Sequence, residues 1–131
     1  MANSMIDACK ACIEKCKRCI DACKKCHEAC MKGDTSQNSN CVKACKECIE
    51  ACRKCIAECK EYLKQNPNDK EVQDCIRQCE NCIKECESCA KQCSGNDTKA
   101  CVDACKKCIS SCESCIQACN KCITKEKSGC C

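Results

Sequence analysis

Residues 9–26 read CKACIEKCKRCIDACKKC, and the spacing of their thiols decides the fold. Steps from one cysteine to the next run three, four, three, four and three. A strand repeats its face every second residue, whereas positions three and four apart share a face of a helix. Strict alternation of three and four is the a/d seam of a heptad, so these cysteines form one stripe along one helix.

The stripe extends to Cys30 and recurs three times. The first group is Cys9, Cys12, Cys16, Cys19, Cys23, Cys26 and Cys30; the second is Cys41, Cys45, Cys48, Cys52, Cys55 and Cys59. The third is Cys75, Cys79, Cys82, Cys86, Cys89 and Cys93; the fourth is Cys101, Cys105, Cys108, Cys112, Cys115, Cys119 and Cys122. The alternation never fails within a group. Branched residues flank the seam at position e: Ile13, Ile20, Ile49, Ile56, Ile83, Ile109, Ile116 and Ile123, with Val42, Leu63, Ile76 and Val102 in equivalent places. Position g is often alanine, as at Ala8, Ala22, Ala29, Ala44, Ala51, Ala104 and Ala118. Charged and amide residues take the opposite face. An inward face this broad suits a bundle of four.

Between the groups lie turn-rich breaks at 32–40, 64–70 and 94–99, the first reading KGDTSQNSN. Helices are predicted near 5–31, 41–64, 69–93 and 98–126, with 127–131 as a flexible tail. Ser4 with Asp7, and Asn68 with Glu71, resemble capping boxes; Asn40, and Asp97 or Thr98, are plausible caps for the second and fourth helices. Gly33 and Gly95 fall where a left-handed C-terminal cap is easy. Short connections make neighbours antiparallel. The expected fold is all-α: one domain spanning 1–131, an antiparallel up-down four-helix bundle with a cysteine-lined core.

Composition narrows the chemistry. Of 131 residues, 28 are Cys and one is Tyr, with no Phe or Trp. A neutral thiol behaves as a small hydrophobe, but it brings less apolar area than Leu or Ile to a core. Disulfides or metal must therefore tie this interior. Disulfide scaffolds usually show irregular spacing in short, turn-rich chains, unlike this one. The N-terminal stretch lacks an apolar signal core and no segment has transmembrane character, so a reducing cytosol is expected. A formal charge of +4 with mixed signs, no long basic run and no aromatic platform argue against nucleic acid. No catalytic constellation or phosphate loop stands out, so no enzyme is expected.

Thiols three or four apart on one helix face can share an ion. Soft thiolates select soft ions such as Cu(I), and bridging sulfurs would let a continuous ladder hold many. Zinc prefers four ligands in a closed tetrahedron, which requires cysteines from several helices at discrete sites. Iron–sulfur clusters usually sit in loops with a nearby proline, and Pro67, the one proline, is remote from every CxxC. The alternatives to copper are a metallothionein-like zinc or cadmium sink and a structural, Cys-rich interaction bundle.

The repeated CxxxCxxC pattern, seen in CKECIEACRKC (45–55), CIRQCENCIKECESC (75–89) and CKKCISSCESCIQACNKC (105–122) as well as 9–26, resembles the bacterial four-helix-bundle copper storage proteins, in particular their cytosolic branch. The resemblance covers 5–126. It implies a bundle filled with Cu(I) thiolates, a homo-oligomer (often a tetramer), and a copper chaperone or copper enzyme as exchange partner. It also implies His or Met ligands at one open end. His27 and Met31 are the candidates, at the end shared with Cys41, Cys93 and Cys101; Met1 and Met5 are weaker. Cys130 and Cys131 break the register and are read as a thiol tail.

Overall fold

The computed structural model describes residues 2–128, with four helices: α1 (Ala2–Met31), α2 (Asn38–Gln65), α3 (Lys70–Cys93) and α4 (Thr98–Ser128). Helix α1 packs on α2 and α4, and α3 packs on the same two, so the helices form a square with α1 opposite α3 and α2 opposite α4. Sequential helices are neighbours throughout, giving an all-α, up-down four-helix bundle.

The helices begin and end for identifiable reasons. Gly33 adopts a φ of 77° two residues past the end of α1, a conformation that costs glycine little. Its N–H donates to the Cys30 carbonyl at 3.0 Å, and the Asp34 N–H reaches the Ala29 carbonyl at 2.8 Å. Asp69 caps α3, its carboxylate accepting the Val72 N–H at 3.3 Å. Asp97 caps α4 by accepting the Ala100 N–H at 3.1 Å.

Several boundaries differ from the expected ones. Helix α1 starts before Ser4, which is therefore a helical residue and not a cap. The α3 cap is Asp69, one residue past Asn68. Helix α2 starts at Asn38, leaving Asn40 inside it, and Gln37 at its head makes no side-chain cap. Gly95 does not take a positive φ; α3 ends at Cys93 and is capped by Ser94, whose N–H and hydroxyl both donate to the Ala90 carbonyl. Helix α4 runs on to Ser128, two residues beyond the expected end. Met1 and 129–131, and with them Cys130 and Cys131, lie outside the described residues.

Among the described residues, ion pairs lace the α1–α2, α2–α3 and α3–α4 seams. Lys15 meets Glu47 across α1–α2 at 3.2 Å, and Arg53 meets Glu87 across α2–α3 at 3.5 Å. Lys125 reaches Asp69 at 3.1 Å and Glu71 at 3.0 Å across α3–α4. Exposed pairs contribute roughly 0–1 kcal/mol each, so their effect is chiefly on register. Burial of the interior carries the fold: the cysteine stripes of all four helices, with Ile13, Ile49, Ile123 and the small Ala8, Ala104 and Ala118, form one continuous core.

Candidate metal centre

All 26 cysteines between Cys9 and Cys122 are buried and unbridged. The antiparallel pairing converts four stripes into two columns of facing thiols. Between α1 and α2 the sulfurs meet as Cys9–Cys55 (3.7 Å), Cys12–Cys52 (3.6 Å), Cys16–Cys48 (3.6 Å), Cys19–Cys45 (3.8 Å) and Cys23–Cys41 (3.7 Å). Between α3 and α4 they meet as Cys75–Cys119 (3.7 Å), Cys79–Cys115 (3.6 Å), Cys82–Cys112 (3.7 Å), Cys86–Cys108 (3.6 Å) and Cys89–Cys105 (3.8 Å).

The columns touch across the axis. Cys12 lies 3.7 Å from Cys115, Cys19 3.6 Å from Cys108, and Cys48 3.8 Å from Cys82. Diagonal helices also meet, through Cys19 and Cys86 at 4.0 Å and Cys41 and Cys105 at 4.0 Å. Small side chains permit this: with Leu at a and d, the axis would be filled with hydrocarbon.

Quartets result whose sulfurs all lie within 4.8 Å of one another. One draws a thiol from each helix: Cys19, Cys45, Cys86 and Cys108. Others are Cys9, Cys55, Cys59 and Cys75; Cys12, Cys16, Cys52 and Cys115; Cys12, Cys79, Cys115 and Cys119; and Cys16, Cys48, Cys52 and Cys82. Four sulfurs about 2.3 Å from a tetrahedral ion stand about 3.8 Å apart, so these thiols already have the spacing of a metal–thiolate core. Neighbouring quartets also overlap, since Cys12, Cys16, Cys52 and Cys115 each belong to two of these five.

The thiols hold their protons firmly where burial dominates. Burial pushes Cys26 up, with the Cys105 charge adding to it. Cys101 is pushed up to about 11, again chiefly by burial. Metal binding at Cys26 and Cys101 must expel protons that these two thiols resist losing to water.

The two ends of the ladder differ. Stepping the three–four alternation outward from the last thiols reaches Met5 on α1, Tyr62 on α2 and Val72 on α3 at one end. Met5 and Val72 are fully buried and Tyr62 packs against the core; Cys122 donates to the Met5 thioether at 3.9 Å. The same stepping reaches Asn38 on α2, Asn96 after α3 and Thr98 on α4 at the other end. Asn38 stands in a rung position. Its Oδ1 accepts from Cys26 and Cys30, each at 3.3 Å, and its Nδ2 donates to the Cys93 carbonyl at 3.1 Å.

Of the two residues expected at an open mouth, His27 is half-buried on α1 with its Nε2 enclosed and without a protein partner. Met31 is 68% exposed beside Cys30. Asn38 and Val72 occupy ladder positions that no sequence motif names, although both are countable from Cys41 and Cys75; Met5, expected as a weaker ligand candidate, occupies the position countable from Cys9. The chain matches no protein-family model, no curated protein and no solved structure. Among the described residues, no helix is long and apolar enough to cross a membrane.

Proposed function

We propose that this chain stores Cu(I), holding many ions on the thiolates of its core. The observation that carries the reading is the overlap of the quartets. Thiols shared between adjacent sites call for an ion content with bridging, and a soft ion needing few sulfurs is served best by a ladder of this kind. Cargo binding also explains the choice of core. Thiols bury little apolar area, and an ion bound to the folded form alone supplies the missing stability. Free thiols in this number fit a reducing cytosol, where a copper chaperone or a copper enzyme would be the exchange partner. By its resemblance, the bundle would assemble as a homo-oligomer, with the tetramer favoured.

A zinc or cadmium sink is the second reading, and one observation favours it: the quartet of Cys19, Cys45, Cys86 and Cys108, one from each helix, is the donor set a tetrahedral ion requires. Parallel titrations of the reduced chain with Cd(II) and Cu(I), following the thiolate charge-transfer absorbance, separate the two. Unshared four-thiol sites stop at about six ions for 26 thiols, and bridging thiolates raise that number for a tetrahedral ion, so the copper reading expects Cu(I) to saturate well above the value Cd(II) reaches. Equal saturation by both ions would move the assignment to the tetrahedral sink.

A further inference from the structure

We propose that Cys23, Cys41, Cys89 and Cys105 form a closed structural site for one tetrahedral divalent ion, Zn(II) by its chemistry, distinct from the stored cargo. The site goes beyond the storage reading and does not rest on it.

The antiparallel square stacks the thiols in rungs, with one sulfur from each helix. In a flat square rung the diagonals exceed the sides by the square root of two. The rung of Cys23 (α1), Cys41 (α2), Cys89 (α3) and Cys105 (α4) departs from that shape. Its sides Cys23–Cys41, Cys41–Cys89 and Cys89–Cys105 measure 3.7, 3.7 and 3.8 Å. Its diagonals Cys23–Cys89 and Cys41–Cys105 measure 3.9 and 4.0 Å. Sides and diagonals of nearly one length describe a tetrahedron. They match the edge of about 3.8 Å that four sulfurs take around an ion at about 2.3 Å. In the rung of Cys9, Cys55, Cys75 and Cys119 the contacts run along the sides instead, at 3.7, 3.9 and 3.7 Å.

The sequence supplies a reason for the closer approach. Small residues flank these thiols: Ala22 beside Cys23, Ala90 beside Cys89 and Ala104 beside Cys105. One heptad before Ala90 the same position holds Ile83, which keeps its neighbours farther apart. All four cysteines are fully buried, so the site is shut against water, as structural four-thiolate sites are.

Charge supports the divalent ion. Four thiolates around it leave two negative charges inside the bundle, and that field must be offset. Within two residues of the four cysteines stand six lysines, Lys24, Lys25, Lys43, Lys91, Lys106 and Lys107, against three carboxylates, Asp21, Glu87 and Asp103. The same span around the rung of Cys16, Cys48, Cys82 and Cys112 holds five cationic and five anionic residues. The tetrahedral rung therefore lies inside a basic collar that the other lacks.

Binding exchanges four S–H bonds for four metal–sulfur bonds and releases four protons to solvent. No oxidant or reductant takes part. The ion ties all four helices at one level, and it binds the folded chain in preference to the unfolded one, so it stabilises a core poor in hydrocarbon.

The test uses the reduced full chain under anaerobic conditions, with Cys130→Ser and Cys131→Ser, and Co(II) as a spectroscopic stand-in for Zn(II). Cys89→Ser removes a ligand of the site; Cys79→Ser removes an equally buried thiol of the same helix outside it. The first equivalent of Co(II) should give the visible d–d bands of a tetrahedral four-thiolate ion. Cys89→Ser should shift those bands to higher energy and weaken the first equivalent by about tenfold or more, and Cys79→Ser should leave both unchanged. Helicity of each variant is recorded alongside. One equivalent of Zn(II) should raise the melting temperature of the parent and of Cys79→Ser, and raise it less in Cys89→Ser. Equal effects of the two substitutions, or Co(II) bands that grow without a break beyond the first equivalent, would overturn the site. Neither readout involves copper, so a low Cu(I) capacity would count against storage and leave this site standing.

Discussion

Asn38 ties one end of the thiol ladder with a single amide. It occupies a position that the three–four alternation reserves for cysteine, and its amide accepts two thiol protons while donating to the last carbonyl-rich turn of α3. Asn38→Ala leaves the Cys93 carbonyl without its side-chain donor and removes one acceptor from Cys26 and Cys30, which keep their sulfur contacts, at a cost of about 1 kcal/mol. In a thermal melt of the metal-free protein that is a drop of several degrees; no change would show the amide to be idle. Cys101 supplies the pH dependence. Its thiol is raised from an ordinary 9.0 to about 11 by burial, so the folded state binds a proton that the unfolded chain releases first. Its contribution is complete below about 9 and is lost as pH rises through about 11. Melting temperature of the reduced, metal-free protein should accordingly fall between pH 9 and 11, and a flat profile would contradict a buried neutral Cys101. The 26 thiol positions of the core are legible in the sequence because each obeys the alternation. Asn38 and Val72 are harder to read as parts of the ladder because the residue type changes there while the register continues, and Met5 is legible only as a weak ligand candidate.

At the level of the helices, the branched residues at position e and the small ones at position g do the packing that thiols cannot. Ile13 is almost fully buried, and Ile13→Ala should cost about 2–4 kcal/mol in denaturant unfolding of the metal-free form. A cost below about 0.5 kcal/mol would mean that the flank does not hold α1 in place. The same helices make the ladder extensible. Asn38→Cys puts a thiol into the next rung, and the number of ions retained should rise relative to Asn38→Ala; equal retention would show that the ladder ends at Cys41. Element type and number were readable from periodicity alone, since no strand repeats at three and four. The boundaries were less so. Asp69 prevailed over Asn68 as the cap of α3 because its carboxylate reaches the Val72 N–H. Helix α2 began earlier than its first thiol because its backbone continues through residues that have no apolar side chain to announce them.

For the whole molecule, the antiparallel square turns four separate stripes into one interior where sulfurs from all four helices lie within metal-ligand spacing. That convergence was expected from the repeat, whereas the difference between an apolar end and a polar end was not. It depends on which residues fall at the termini of four separate registers, and only the assembled bundle sets Met5, Tyr62 and Val72 together and apart from Asn38, Asn96 and Thr98. A core with so little hydrocarbon and so many donors should gain stability from its cargo by mass action. The most direct test of that account is an anaerobic Cu(I) titration of the fully reduced chain against a chromogenic Cu(I) chelator, with helicity recorded at each addition. The account predicts retention of more than about ten ions per chain, sharing thiols as soft ions do, with helicity kept throughout and a higher melting temperature at saturation. Retention of one or two ions, or loss of helix as copper enters, would contradict it.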